Sequence, residues 1–133
     1  MAVKLPDMAR ELIEGKNFAH VATLNPDGSP QNTAIWIEMD GDNISFNTAE
    51  GRVKPRNIRH DARVAISITD AANNYRAAFI RGKVINMTPE GGDPGIDRLA
   101  KKYMDADTYP FRQAGEVRLV VTIEPEHVSL MGE

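Results

Sequence analysis

Two turn signals divide the first half of the chain into short segments of alternating polarity, and this pattern restricts the fold more than any other feature. Asn25-Pro-Asp-Gly28 separates residues 18–24 from residues 31–39, and Asp40-Gly-Asp42 separates the latter from residues 44–48. Pro, Asp and Gly favour tight turns, and alternation with a period of two is typical of half-buried strands. The pattern therefore predicts two successive hairpins in an antiparallel meander.

Helical spacing of apolar residues predicts three short helices, each with a proline in its first turn. The predicted helices are Pro6–Glu14, Pro55–Asp61 and a helix from about Pro94. The apolar stripe of the third helix is expected to cover the sheet. At 133 residues, the chain is expected to form a single domain, residues 1–133.

Three further strands are predicted at residues 64–69, Tyr75–Met87 and Val117–Ile123. The last of these is apolar on both faces, which predicts burial on both sides. We expect a partner subunit to provide the second cover. Arg118 is a lone charge in this run and is costly unless paired, so we expect it either to hold a dimer interface or to reach a bound ligand.

The basic residues are concentrated in one segment. Five of the sixteen Lys and Arg residues lie in residues 52–63, which contain only one acid, so this segment carries a formal charge of +4 against −3 for the whole chain. A local basic patch on an acidic protein indicates a small anionic ligand. Nucleic acid is not an expected partner, because non-specific binding of a polyanion needs a broad positive face.

Several other classes of function are disfavoured by the sequence. The chain has no cysteine, which removes thiolate metal sites and suits a reducing cytoplasm, and no apolar run is long enough to span a membrane. His20, His60 and His127 show no metal-type spacing, so no metal is predicted. Motifs for hydrolysis and phosphoryl transfer are also missing. We expect a cytoplasmic protein.

The first part of the basic segment has the chemistry of a phosphate site. Arg52 and Lys54 are two residues apart, so in extended geometry their side chains leave the same face and converge on one anion. Pro55 would begin a helix whose free N–H groups point at that anion. The alternative is a solvated turn whose bases pair with nearby acids.

Three segments together resemble the pyridoxamine 5'-phosphate oxidase-like split-barrel superfamily. They are the strand end Phe46-Asn-Thr48, the basic turn Arg52-x-Lys54-x-x-Asn57-Ile, and the strand Asp61-Ala-Arg63-Val-Ala-Ile. The similarity runs from about Leu12 to Met131 and is best to the short oxidoreductases that use the deazaflavin coenzyme F420. It implies a mainly β, α+β fold: a six- to seven-stranded antiparallel split β-barrel flanked by short helices.

The resemblance also implies a set of cofactor-binding residues. Arg52 and Lys54 would hold the cofactor phosphate, with Arg56 and Asn57 beside them. Arg59, His60 and Arg63 have no such support: they are either solvated or meet a polyglutamate tail.

The strand over residues 31–36 would run along the cofactor ring, with Asn47 and Thr48 closing the other side. Gln31 and Thr33 share one face of that strand and Trp36 lies on the other, and the sequence leaves open which face meets the ring. Trp36 is equally suited to core or dimer packing and to a pocket wall. Tyr75 resembles the aromatic residue that a second subunit lends to the site, and the alternative is a half-exposed strand tyrosine.

These features predict a homodimer that passes a hydride from reduced coenzyme F420 to an unsaturated small-molecule acceptor, with the cofactor at the subunit interface. The cofactor would perform the chemistry, so no catalytic side chain is predicted. Two alternatives remain. One is an FMN-dependent oxidase or reductase of the same fold, and the other is a non-catalytic protein that binds a flavin or a tetrapyrrole.

Overall fold

The computed structural model describes residues 2–133, which form three helices and seven strands. In chain order these are α1 (Asp7–Glu14), β1 (Ala19–Leu24), β2 (Pro30–Ile35), β3 (Ile37–Asp40), β4 (Asn43–Ala49), α2 (Val53–His60), β5 (Arg63–Asp70), β6 (Asn73–Thr88), α3 (Gly92–Met104) and β7 (Arg118–Met131). The predicted mainly β, α+β architecture is confirmed. None of the helices in residues 2–133 has the length and apolar character needed to cross a bilayer.

All seven strands form one antiparallel sheet in the order β2-β1-β5-β6-β7-β4-β3. The strands at the two ends of this order, β2 and β3, are consecutive in the chain and only Trp36 separates them. The sheet therefore curls until its ends meet at this residue, as a split barrel does. The prediction of one unbroken strand over residues 31–39 is wrong, because β2 pairs with β1 whereas β3 pairs with β4.

Alternate strand residues fill the interior of the barrel with aliphatic side chains and one phenylalanine. The largest fully buried strand residues are Val21, Ile37, Ile44, Phe46, Ile68, Ile80, Leu119, Val121 and Ile123. Helix α1 adds Leu12 and Ile13, which are at most 1% exposed. Each such side chain stabilises the fold by roughly 1.5–3 kcal/mol. The packed interior therefore holds the strands of the barrel together.

Helix α3 covers the outer face of the start of β7. Gly92 makes this close approach possible, because a Cβ atom at that position would overlap the carbonyl oxygen of Arg118. Ile96, Leu99 and Tyr103 of α3 are buried on the side of the helix that faces the barrel. The predicted packing of the third helix on the barrel is confirmed. At this face a partner subunit is not the second cover of the last strand, because α3 of the same chain already covers it.

Candidate cofactor-binding site

A cleft of about 210 Å³ opens at the seam where β2 passes into β3. Its lining comes from both ends of the sheet, from the start of α2, from α3 and from the segment that connects α3 to β7. The lining residues are Phe18, Ala34, Ile35, Trp36, Asn47, Arg52, Lys54, Ile96, Leu99, Tyr109, Phe111 and Arg118. Four of the chain's eight aromatic residues are among them. Aromatic walls with a few charged groups suit a flat, anionic ligand.

The cationic wall of the cleft begins at the N-terminus of α2. The helix starts at Val53, two residues before the predicted start at Pro55, so Lys54 lies in the first helical turn. The predicted extended geometry from Arg52 to Lys54 is therefore wrong for Lys54. Pro55 is tolerated there because first-turn N–H groups have no partner inside a helix. Arg52 is the extended N-cap residue, and both cations still line the cleft.

Lys54 is half-buried and has no acidic partner among residues 2–133. Its Nζ donates to the hydroxyl of Thr33 at 3.0 Å. Burial, and secondarily the nearby charge of Arg52, lower the pKa of Lys54. The guanidinium of Arg52 is half exposed and lies 3.7 Å from a carboxylate oxygen of Glu116. An anion bound here would offset both the desolvation of Lys54 and its repulsion from Arg52.

Arg118 adds a third cation to the cleft, although the residue is only 4% exposed. Its Nε donates to Oδ1 of Asn47 at 2.8 Å, and its Nη1 lies 3.1 Å from Oε1 of Glu116. The guanidinium also packs 5.2 Å from the centre of the Tyr109 ring. The buried charge of Arg118 is thus paired, which offsets the free-energy cost of removing it from water. Arg118 lines the cleft, so its position is compatible with the expected contact to a ligand, and both roles expected for it stay predictions.

The predicted residues of β4 point to opposite sides of the strand, as neighbours in a strand must. Asn47 lines the cleft and donates from Nδ2 to the carbonyl oxygen of Gly92 at 2.9 Å, which ties β4 to the first residue of α3. Thr48 is 1% exposed and shares the barrel-interior face with Phe46. Its hydroxyl has no hydrogen-bond partner in residues 2–133. The structure thus brings Asn47 to the cleft but not Thr48.

Along β2, Gln31 and Thr33 alternate with exposed residues and share the inward side with buried Ile35. Thr33 holds Lys54, whereas Gln31 lies outside the cleft, and its Oε1 is buried without a hydrogen-bond partner in residues 2–133. Trp36 lies beyond the end of β2 and lines the cleft. Its ring stacks on Tyr103 at 5.4 Å between ring centres. Trp36 therefore serves both as packing and as a cleft wall.

Arg56 and Asn57 face away from the cleft and hold α2 in place. Asn57 is fully buried, and its Nδ2 donates to Thr23 Oγ1 and Asn25 Oδ1, each at 3.0 Å. Arg56 Nη2 donates to the side-chain oxygens of Asn25 and Asn57. These bonds seat the helix on the end of β1 and on the first turn. The two residues lie next to the cationic wall in sequence, but neither lines the cleft.

Tyr75 lies away from the cleft of its own chain and is 82% exposed. It lies at the start of β6, on the opposite side of the strand from Arg76, whose guanidinium pairs with Glu11 of α1 at 2.7 Å. Tyr75 therefore projects from the outer side of the sheet. No cluster of three or more His, Asp or Glu side chains suited to a metal occurs in residues 2–133.

The sequence prediction missed most of the wall formed by α3 and the segment that follows it. Tyr109 and Phe111 lie between α3 and β7, where no periodicity marks an element. The backbone N–H of Tyr109 donates to Oδ1 of Asp97 at 2.8 Å, and Arg112 pairs with Asp93 at 2.8 Å, so α3 holds this segment in place. Two aromatic residues in an otherwise polar connection were the available signal.

An antiparallel barrel whose two end strands meet at a cationic, aromatic-lined cleft is an oxidoreductase-like split barrel. Residues 5–132 match the family model described as pyridoxamine 5'-phosphate oxidase, and the chain belongs to this family. Members of the family are often oxidoreductases and typically bind a flavin. The resemblance inferred from the sequence is confirmed.

Solved structures extend this result. An F420 reductase is 30% identical, with a TM-score of 0.84 over 94% of this chain and 98% of that one. A conserved hypothetical protein of Mycobacterium tuberculosis is 21% identical, with a TM-score of 0.76 over 98% of this chain and 86% of that one. The HupZ protein of Group A Streptococcus is 15% identical, with a TM-score of 0.69 over 95% and 93% of the two chains. The last two support the fold alone.

Proposed function

We propose that this protein is an oxidoreductase that binds reduced coenzyme F420 in the cleft and supports hydride transfer to an unsaturated small-molecule acceptor. The observation that carries the proposal is the convergence of Arg52 and Lys54 on an aromatic-lined cleft. The 30% identity to an F420 reductase over nearly the whole of both chains supports the choice of cofactor.

The cationic wall fits the phosphate of such a cofactor. Arg52 offers a planar fork of donors and Lys54 a point charge, and the backbone N–H groups of Val53 and Lys54 are free at the start of α2. The positive end of the helix dipole adds to the attraction. Thr33 orients Lys54 through the 3.0 Å hydrogen bond to Nζ. Arg52, Lys54, the backbone N–H groups and the helix dipole would therefore all attract the same anion.

The opposite wall fits a flat ring. Trp36, Tyr109 and Phe111 supply aromatic surface, and Ile96 and Leu99 supply aliphatic surface. When bound, reduced coenzyme F420 supplies a hydride from its ring. The apolar wall excludes water and holds the acceptor against the ring, and the side chains of the cleft act by orientation and electrostatics rather than as nucleophiles. Because Arg118 is held by Asn47 and Glu116, it presents a fixed positive charge to oxygen atoms in the cleft.

We further propose that the functional unit is a homodimer. The outer face of β2, β1, β5 and β6 carries the small side chains Ala22, Ala65 and Ser67. Ala34 of β2 is exposed on the same side of its strand as Asn32 and also lines the cleft. Large apolar residues on the outer side of β6 are exposed, with Phe79 at 42% and Tyr75 at 82%. A second copy on this face would cover them and bring its Tyr75 toward the neighbouring cleft. Sedimentation of wild type and of Phe79→Glu tests this, and a monomeric wild type would contradict it.

FMN is the second candidate cofactor, because the family typically binds a flavin. The same cationic wall would hold its phosphate. An FMN protein is yellow as purified and reacts with oxygen when reduced, whereas a deazaflavin is nearly inert toward oxygen. A single-domain protein that binds either ring without turnover of any acceptor would be a carrier and not an enzyme.

The test is a side-by-side titration of wild type, Arg52→Ala and Lys54→Ala with coenzyme F420 and FMN. Each substitution removes a charge-assisted contact and is expected to weaken phosphate-dependent binding by roughly 1.5–3 kcal/mol. Riboflavin, which lacks the phosphate, is the matched ligand control and should lose little. A loss below about 0.5 kcal/mol for both phosphorylated cofactors would show that the phosphate lies elsewhere. Reduction of acceptors by the preferred cofactor then separates an enzyme from a carrier.

A further inference from the structure

Glu116 is a partly buried acid beside the cationic wall, and the binding of an anion does not explain its presence there. Its side chain is 10% exposed and bridges two arginines, with Oε1 at 3.1 Å from Arg118 Nη1 and Oε2 at 3.7 Å from Arg52 Nη2. Glu116 does not line the cleft. It lies with Arg118 in a shallow depression between the start of α3 and β7. A carboxylate this close to an anion site repels the anion that the arginines attract.

The charges around the cleft can be counted. Arg52, Lys54 and Arg118 contribute three positive charges and Glu116 one negative charge, which leaves a formal charge of +2. Other acids in the neighbourhood pair with cations outside the cleft, although Asp97 also accepts a hydrogen bond from the backbone N–H of Tyr109, a cleft residue. For example, Glu50 pairs with Arg59 at 2.7 Å, and neither of these two lines the cleft. Glu116 is therefore the acid that pairs with cations of the cleft, Arg52 and Arg118.

We propose that Glu116 sets the charge specificity of the cleft by reducing the advantage of a doubly charged phosphomonoester over a singly charged phosphodiester. The inference rests on the proposed function and deepens it. The phosphate of coenzyme F420 is a diester with one negative charge, whereas that of FMN is a monoester with nearly two at pH 7. The repulsion from Glu116 is proportional to the ligand charge, so it penalises the monoester about twice as much in free energy.

The second effect of Glu116 is on geometry. The carboxylate accepts a hydrogen bond from Arg118 at 3.1 Å and lies 3.7 Å from Arg52, so it positions Arg118 closely and attracts Arg52 more weakly. A variant that removes the charge must therefore be compared with one that keeps it. Glu116→Gln removes the charge, and Glu116→Asp keeps the charge while it shortens the side chain.

The experiment measures binding of three ligands that share one ring: riboflavin, the methyl ester of FMN and FMN, with zero, one and nearly two negative charges. At low ionic strength, Glu116→Gln is expected to strengthen binding of the methyl ester by roughly threefold to tenfold. Binding of FMN should strengthen by about the square of that factor, roughly tenfold to a hundredfold. Riboflavin binding should stay within about twofold. Glu116→Asp should leave the ratio of FMN to methyl ester affinity near the wild-type value.

Glu50→Gln is the matched control, because it removes the same charge from a carboxylate that pairs with Arg59 and not with the cleft. It should leave all three affinities within about twofold. Equal strengthening of FMN and the methyl ester by Glu116→Gln would overturn the proposal, as would an equal change in riboflavin. Arg52→Ala distinguishes a failure of the proposal on Glu116 from a failure of the proposed function. If Arg52→Ala lowers the ratio of FMN to riboflavin affinity, the phosphate site holds even where the specificity role of Glu116 fails.

Discussion

The two parts of the basic segment carry the same formal charge but relate to the rest of the protein in opposite ways. Residues 52–54 and residues 56–63 each sum to +2. In the second part, Arg59 pairs with Glu50 and Arg63 with Asp61, each at 2.7 Å. Arg56, the remaining cation of this part, donates to the side-chain oxygens of Asn25 and Asn57. In the first part, Lys54 donates a hydrogen bond to the neutral hydroxyl of Thr33 and has no ion pair within residues 2–133. Arg52 lies 3.7 Å from a carboxylate that it shares with Arg118.

This difference separates charge that supports local structure from charge that is available to a ligand. Cations already paired with acids of the chain gain little from a bound anion, because the pair must first be broken. Cations that are partly desolvated and have few acidic partners raise the free energy of the empty site. A bound anion removes this cost, so such cations favour anion binding. The groups that pair with each cation therefore indicate where an anion binds, whereas the density of charge in the sequence does not.

The largest effect expected from this comparison is loss of stability at Asn57, the residue that anchors the second part. Asn57→Ala removes the amide that donates to Thr23 and Asn25 and accepts from Arg56, and it leaves buried polar groups without partners. The free energy of unfolding should fall by roughly 3 kcal/mol. Urea denaturation measures this, with Arg59→Ala, an exposed ion-pair residue, expected to cost less than about 1 kcal/mol. Equal losses would mean that Asn57 is not an anchor.

Lys54 should show the opposite behaviour. Because burial and Arg52 already lower the pKa of Lys54, the charged form is disfavoured in the empty protein. Lys54→Met should leave the free energy of unfolding unchanged or raise it by up to about 1 kcal/mol. The preference for FMN over riboflavin should fall by about 2 kcal/mol. Arg59→Met is the matched control and should change neither. Marked destabilisation by Lys54→Met would place Lys54 among the structural residues.

Local patterns in the sequence were sufficient for most of the fold. Alternation and turn residues predicted the hairpins around Asp27 and Gly41, and the family resemblance supplied the closed barrel. The break at Trp36 was not predictable, because it depends on which strands meet when the sheet closes. The sequence also predicted that a partner subunit covers β7, whereas α3 does so. An apolar run predicts burial but does not indicate which element packs on it. Gly92 was the local sign of close helix packing.

The candidate site was predictable only where residues are near one another in sequence. Arg52 and Lys54 were found from spacing and resemblance, even though the helix begins earlier than predicted. Tyr109 reaches the cleft through its hydrogen bond to Asp97 of α3. Glu116 lies beside the cationic wall through its ion pair with Arg52, and no spacing rule brings either residue to α2. The roles proposed for Gln31 and Tyr75 remain predictions that depend on the bound cofactor and on a second subunit.

The smallest effect is expected at the end of the basic segment, where Arg63 and Asp61 pair on the surface. Hydrogen bonds from the Arg63 side chain, and then from its backbone N–H, lower the pKa of Asp61 to about 2 from 3.8. Because the folded-state pKa is below the unfolded value, the pair stabilises the fold above about pH 4, and this contribution is lost as the pH falls toward 2. Arg63→Ala should return the pKa of Asp61 toward 3.8, as measured by an NMR titration of the carboxyl carbon. Binding of FMN should stay within about twofold of wild type, since the charge of Arg63 is already matched. A larger loss of affinity would indicate that the second part of the segment contacts the ligand, and the two parts would then no longer differ in function.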